Sequence, residues 1–124
     1  MKYKLVERKN PQQPQASGKL YAAPVNDGKV SQKDISAEIV ALSSLTRGDV
    51  SNVIENLLDT IPKYLLMGKS VSLGELGTMR ISFSSEGVDT AEEFTISKIS
   101  GIRVLFTPSP SLRKSITGIK FEKA

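Results

Sequence analysis

The stretch Met67–Phe83, MGKSVSLGELGTMRISF, changes its hydrophobic period within a few residues, and its reading decides the fold. Gly68 ends a run of helical periodicity and supplies the left-handed residue with which helices commonly close. From Lys69 the period becomes two. Val71 and Leu73 alternate, GELG at Gly74–Gly77 makes a tight glycine turn, and Met79, Ile81 and Phe83 alternate again. Alternation on both sides of a glycine turn predicts two antiparallel strands that each turn one face to a core.

Upstream, the spacing is helical. Ser31 with Asp34, and Thr46 with Asp49, are hydroxyl and carboxylate three residues apart, the pattern of a capping box with Asp in place of Glu. Each marks a helix start. Ile35, Ile39 and Leu42 share a face of the first helix. In the second, Val50, Val53, Ile54, Leu57, Leu58, Ile61 and Leu65 recur at spacings of three and four. Pro62 falls inside this helix, where it removes the hydrogen bond to the Leu58 carbonyl, so a kink or a restart is expected there. The stripe serves either a monomer core or a dimer core. It is wider than one partner helix of three turns can cover, which favours the dimer.

Downstream lies SSEGVDTAEEF, Ser84–Phe94, which gathers Glu86, Asp89, Glu92 and Glu93 at the expected tip of a hairpin. Phe94 and Ile96, then Ile102, Val104 and Phe106, predict a long extended run broken near Ser100 and Gly101. The sheet is then a three-stranded meander with a protruding hairpin. PSPSLRKSI opens a short helix with Ser109 as cap, Pro110 in the first turn and Gly118 as the stop, and Phe121 adds an apolar anchor in the tail.

Residues 1–30 are distinct. KYKLVER alternates, NPQQPQASG is rich in breakers, KLYAAPV is extended and NDG is a turn. A short β-hairpin is expected, with a partly disordered arm as the alternative.

Composition narrows the function. The chain of 124 residues suits one small domain with an accessory segment, and it contains neither cysteine nor histidine. Disulfides, thiolate metal sites, thiol nucleophiles and the usual proton shuttle are excluded. GKS at Gly68–Ser70 lacks the earlier glycine of a phosphate loop and follows a helix instead of preceding one. Glu92 and Glu93, adjacent on a strand, would face opposite sides, which argues against a catalytic or metal pair. The RGD in LTRGD is a helix-cap sequence before it is an adhesion tripeptide. No catalytic residue, cofactor, metal or small-molecule substrate is expected. With no apolar N-terminal run and no stretch of membrane-spanning length, the expected location is the cytoplasm. The net charge of +4 is segregated: Lys2, Lys4, Arg8, Lys9, Lys19 and Lys29 crowd the first thirty residues, whereas the acids crowd the arm.

The order helix, helix, strand, strand, projecting hairpin, strand, short helix resembles the bacterial HU and integration host factor family of histone-like DNA-binding proteins. Three blocks carry the resemblance. LTRGDV at Leu45–Val50 is similar to the family's opening of helix two; MGKSVSLGELGTMRISF is similar to its GxxVxLxxFGTF block, with Leu76 at the usual aromatic position; FTPSPSLRKSI at Phe106–Ile116 is similar to its FxPGxxLK block. It covers about residues 31–117. The extension at 1–30 is similar to that of larger HU-related proteins of Bacteroides-type bacteria.

The resemblance implies an α+β fold. It comprises an intertwined HU-like homodimer with two N-terminal helices, a three-stranded antiparallel sheet bearing an arm at about 84–101, and a short C-terminal helix. The HU-like dimerisation and DNA-binding domain would span 31–124. It implies double-stranded DNA as partner, bound without strong sequence preference in the bacterial nucleoid, with an apolar wedge entering the minor groove. Carried over by position, Arg113 falls on a basic residue of the C-terminal helix. Ser82 and Ser84 fall on the family's sheet arginines, and Thr107 on a lysine, so these donate hydrogen bonds without charge. Arg80, Lys98, Arg103 and Lys114 complete the expected DNA-binding set as exposed cations. The arm departs from the family: the RNPxTG tip is replaced by EGVDTAEEF, and Val88 is the nearest apolar candidate for a wedge. A structural or protein-interaction module with the same fold and an acidic arm facing a basic protein is therefore the alternative.

Overall fold

A computed structural model describes residues 1–124 as an α+β protein with three helices and two three-stranded sheets. The strands β1 (Lys2–Arg8) and β2 (Lys19–Pro24) form an N-terminal antiparallel hairpin with Tyr3 opposite Pro24 and Arg8 opposite Lys19. The chain then forms α1 (Gln32–Leu42) and α2 (Arg47–Leu66). The second sheet follows with β3 (Val71–Ser72), β4 (Gly77–Ser85) and β5 (Ile99–Pro108), in that order across the sheet. The short helix α3 (Pro110–Ser115) comes next. The tail then returns to the first sheet as β6 (Glu122–Lys123), parallel to β1.

Both capping boxes form. Ser31 Oγ accepts from the Asp34 N–H at 3.2 Å while Asp34 Oδ2 accepts from the Ser31 N–H at 3.0 Å. Thr46 Oγ1 and Asp49 Oδ2 repeat the exchange at 3.1 and 2.9 Å. Hydrogen bonds from the Ser31 backbone and then its hydroxyl hold the Asp34 carboxyl below its ordinary value, and Thr46 does the same for Asp49. At its far end α2 closes in a Schellman arrangement: the Gly68 N–H donates to the Leu65 carbonyl at 3.0 Å and the Lys69 N–H to that of Tyr64 at 3.2 Å. Pro62 lies inside α2, which runs unbroken through it, so the helix does not restart. A single proline removes one bond of the ladder, and the turns on either side carry the helix across.

The extended run expected through Phe94 and Ile96 does not form. Ala91–Glu93 and Ile96–Lys98 are single 3-10 turns, and β5 begins only at Ile99. The arm is therefore a compact loop of residues 86–98 on a short ribbon. The ribbon is irregular: Ser82 pairs with Arg103 but Ser84 with Ser100, so β5 carries one extra residue. Gly101, at φ 63°, takes the left-handed conformation that such a bulge requires. α3 ends at Ser115, before Gly118, which is not left-handed. Ile116 is its cap residue, and the Thr117 hydroxyl satisfies the Lys114 carbonyl.

The core is thin. Of 124 residues only four are buried, with Val50 and Leu65 the sole large apolar ones. The accessible surface is 10592 Å², against about 6,500 Å² for a compact monomer of this mass. Large apolar side chains contribute to the excess. Val53, Leu57 and Leu58 on α2, and Phe83, Ile102, Val104 and Phe106 on the second sheet, are exposed, Leu58 by 64% and Ile102 by 73%.

Candidate nucleic-acid interface

Strand alternation sorts the second sheet into two unlike faces. Met79, Ile81 and Phe83 of β4, with Val104 and Phe106 opposite, make an apolar face. Thr78, Arg80 and Ser82 of β4, with Arg103, Leu105 and Thr107 of β5, make the other, and the register sets Ser82 beside Arg103 and Thr78 beside Thr107. Beyond the bulge Ser84 rejoins this polar group: Arg103 Nη1 donates to Ser84 Oγ and to the Gly101 carbonyl, each at 3.1 Å. Arg80, Ser82, Ser84, Arg103 and Thr107 are thus gathered on one sheet. Arg103 uses only part of its five-donor fork in these two bonds, so its guanidinium is oriented yet still free to donate elsewhere.

Lys98 is placed differently. Its Nζ lies 3.3 Å from Glu86 Oε2, and the Glu86 N–H donates to the Lys98 carbonyl at 2.9 Å, so the pair closes the base of the arm loop. The pair is open to solvent and contributes little stability. Its consequence is electrostatic, since the Lys98 charge is matched by a neighbour. Asp89, Glu92 and Glu93 stay exposed at the tip without an ion-pair partner.

Arg113 and Lys114 occupy the last turn of α3, where cations complement the helix dipole, and both are exposed. The helix is fixed to the β3–β4 turn by Ser109. Its hydroxyl donates to the Glu75 carbonyl and accepts from the Leu112 N–H at 3.0 Å, and its N–H donates to the Leu76 carbonyl at 3.2 Å.

Val88, the expected wedge, is half-buried within the arm loop, whereas Ile96 is 82% exposed. Ile96 is thereby the arm's most projecting apolar side chain. Strand periodicity concealed it, because TISKIS reads equally well as extended chain.

A helical pair feeds a β-meander with a projecting arm, the plan that the HU resemblance implies. A family model described as "HU-HIG: HU domain fused to wHTH, Ig, or Glycine-rich motif" matches residues 1–123, and the chain belongs to this family. Among solved structures, it is similar to a protein from Bacteroides vulgatus to which DNA binding has been provisionally ascribed. That likeness has a TM-score of 0.64 at 20% identity and covers 98% of this chain. This chain spans 47% of that one. No curated protein sequence matches it.

Proposed function

We propose that the protein binds duplex DNA without strong sequence preference, as a homodimeric architectural protein of the bacterial nucleoid. The observation that carries the reading is the division of the β3–β4–β5 sheet. Its polar face presents Arg80, Arg103, Ser82 and Thr107 together, with a cation-bearing helix end following β5 in the chain. Family membership in the HU class and the DNA-binding ascription of the structural neighbour point the same way.

Binding of this kind neutralises phosphates and is indifferent to base edges. Arg80, Arg103, Arg113 and Lys114 supply charge, and Ser82, Ser84 and Thr107 supply neutral donors to phosphate oxygens. Specificity then comes from how readily a duplex deforms. The uncovered apolar face and the α2 stripe supply the surface that a second copy would bury. An excess of thousands of Å² per chain is of the size that obligate dimers bury. No helix is long and apolar enough to cross a membrane.

The test is a gel-shift series with linear, bent and nicked duplexes at 50 mM salt and micromolar protein. Complexes at all three are expected, with the tightest on the deformable ones; absence of any complex would sink the proposal.

The arm motivates a second reading, in which the HU fold serves as a protein-interaction module. Asp89, Glu92 and Glu93 have no ion-pair partner, and laid along phosphates they would be repelled. A basic protein surface suits them better.

A further inference from the structure

The hairpin β1–β2 segregates its charges by face. Residues two apart share a side, and the register sets Arg8 opposite Lys19, Val6 opposite Tyr21 and Lys4 opposite Ala23. Lys2, Lys4, Arg8 and Lys19 therefore share one face. The strand's single acid, Glu7, falls on the other, where its carboxylate accepts the Gly18 N–H at 3.2 Å. Lys2 is neutralised by Asp27 at 3.3 Å, the one ion pair of this region, which leaves Lys4, Arg8 and Lys19 unmatched.

Like charges directly across a strand pair destabilise a sheet, so Arg8 opposite Lys19 is unfavourable unless an anion lies between or above them. The surroundings accommodate one. Arg8 and Lys19, with Lys9, Asn10, Gln13 and Tyr21, border a concavity of about 570 Å³ at the end of the hairpin. The Tyr21 ring, 5.5 Å from the Arg8 guanidinium carbon, steadies the arginine. Successive turns at Asn10–Gln13 and Gln13–Ala16, each closed by a 3.0 Å backbone bond, shape the rim.

We propose that this face of the N-terminal hairpin is a second phosphodiester-binding surface, separate from the polar face of β4 and β5, and that its ligand is the backbone of duplex DNA. The inference rests on the DNA-binding reading and adds a site to it. Arg8, Lys9 and Lys19 contact phosphate oxygens, Asn10 and Gln13 donate neutral hydrogen bonds, and no base edge is read.

The experiment titrates a mixed-sequence 30-bp duplex with the full chain between 50 and 200 mM salt, for the wild type, R8Q/K9Q/K19Q and R80Q/R103Q. The first variant is expected to lower the slope of log affinity against log salt by about 2 to 3 per protomer, with at least tenfold weaker binding at the high-salt end. In parallel, lysine acetylation of the wild type is mapped with and without the duplex, so the outcome does not depend on the variant's folding. Lys9 and Lys19 are expected to be protected. An unchanged slope in R8Q/K9Q/K19Q, or equal acetylation of both lysines, with R80Q/R103Q still impaired, would overturn this site and leave the sheet reading intact. A wild type that forms no complex overturns both.

Discussion

The β3–β4–β5 sheet and the β2–β1–β6 sheet have the same number of strands, yet their polar faces carry different charge. In the former, alternation separates apolar from polar: Met79, Ile81, Val104 and Phe106 stand on one side, Arg80, Ser82 and Arg103 on the other. In the latter, alternation gathers Lys2, Lys4, Arg8 and Lys19 on one face and leaves Tyr3, Leu5, Leu20 and Ala22 on the other beside the single acid Glu7. The first pattern is that of a half-buried sheet whose covering is supplied by another surface. The second is that of a small sheet held by backbone pairing, with Tyr3, Ala22, Pro24 and Phe121 bordering an open concavity. The difference teaches that period two is a signal of what each face meets, and burial is only one such partner.

The comparison is broken most directly by placing a charge on each sheet. Val104→Asp would leave an uncompensated carboxylate in the dimer interface proposed above and is expected to cost on the order of 3–5 kcal/mol. Leu20→Lys, on the other sheet and opposite Glu7, should stay within about 0.5 kcal/mol. Sedimentation velocity and thermal melting decide; two variants of equal stability and wild-type mass would show that the apolar face has no cover.

Backbone packing offers the next largest contrast. Gly77 has φ 151°, and a Cβ there would meet the Thr107 carbonyl oxygen at 2.4 Å and the Phe106 ring at 2.7 Å. Gly77→Ala is therefore expected to cost about 2 kcal/mol or more, read as a shift in denaturation midpoint. A neutral outcome would mean that β4 and β5 can separate at no penalty.

Function sharpens the contrast at a smaller scale. R80Q/R103Q should weaken duplex binding roughly tenfold while leaving the melting temperature within a few degrees, because both side chains are exposed. Replacing Glu86, Asp89, Glu92 and Glu93 with serine should raise DNA affinity a fewfold if the arms approach phosphate. Unaltered affinity, measured by anisotropy, would favour a protein partner for the arm.

The smallest effect is in acid. Asp34 and Asp49 have carboxyls held below the ordinary 3.8. Their contribution is therefore present above that value and disappears as pH falls through the lowered one. The stability advantage of the wild type over D34N/D49N, seen near pH 5, should shrink as pH is taken below 3.8 in melts followed by circular dichroism.

What was legible in the sequence was what short-range chemistry dictates. Ser31 and Asp34, Thr46 and Asp49, Gly68 and the GELG turn each act within a few residues, and each formed as their spacing required. Alternation in KYKLVER and KLYAAPV likewise located β1 and β2. The misreadings fall where local signals are ambiguous or distant. Phe94–Lys98 contains apolar residues two apart and so reads as a strand, but two 3-10 turns accommodate the same spacing. The tail could not be placed, since β6 pairs with a strand more than a hundred residues away, across only two positions. The residues proposed to bind DNA could be picked out one by one, yet the grouping of Ser84 with Arg103 depends on the bulge at Gly101. The cationic face of the hairpin was in principle visible as Lys2, Lys4 and Arg8 at even spacing. Its Lys19 member required the register.

The pairing of β6 with β1 also has a mechanical consequence. Met1 donates to the Lys120 carbonyl, Glu122 donates to that of Met1 at 3.1 Å, and Ala124 to that of Tyr3 at 2.9 Å. Because the two strands run parallel, tension applied between residues 1 and 124 pulls them past one another lengthwise. The three bonds then share the load and fail together instead of peeling one at a time. The helices and the second sheet lie between these two strands in sequence, so they feel no stretch until that clasp gives way.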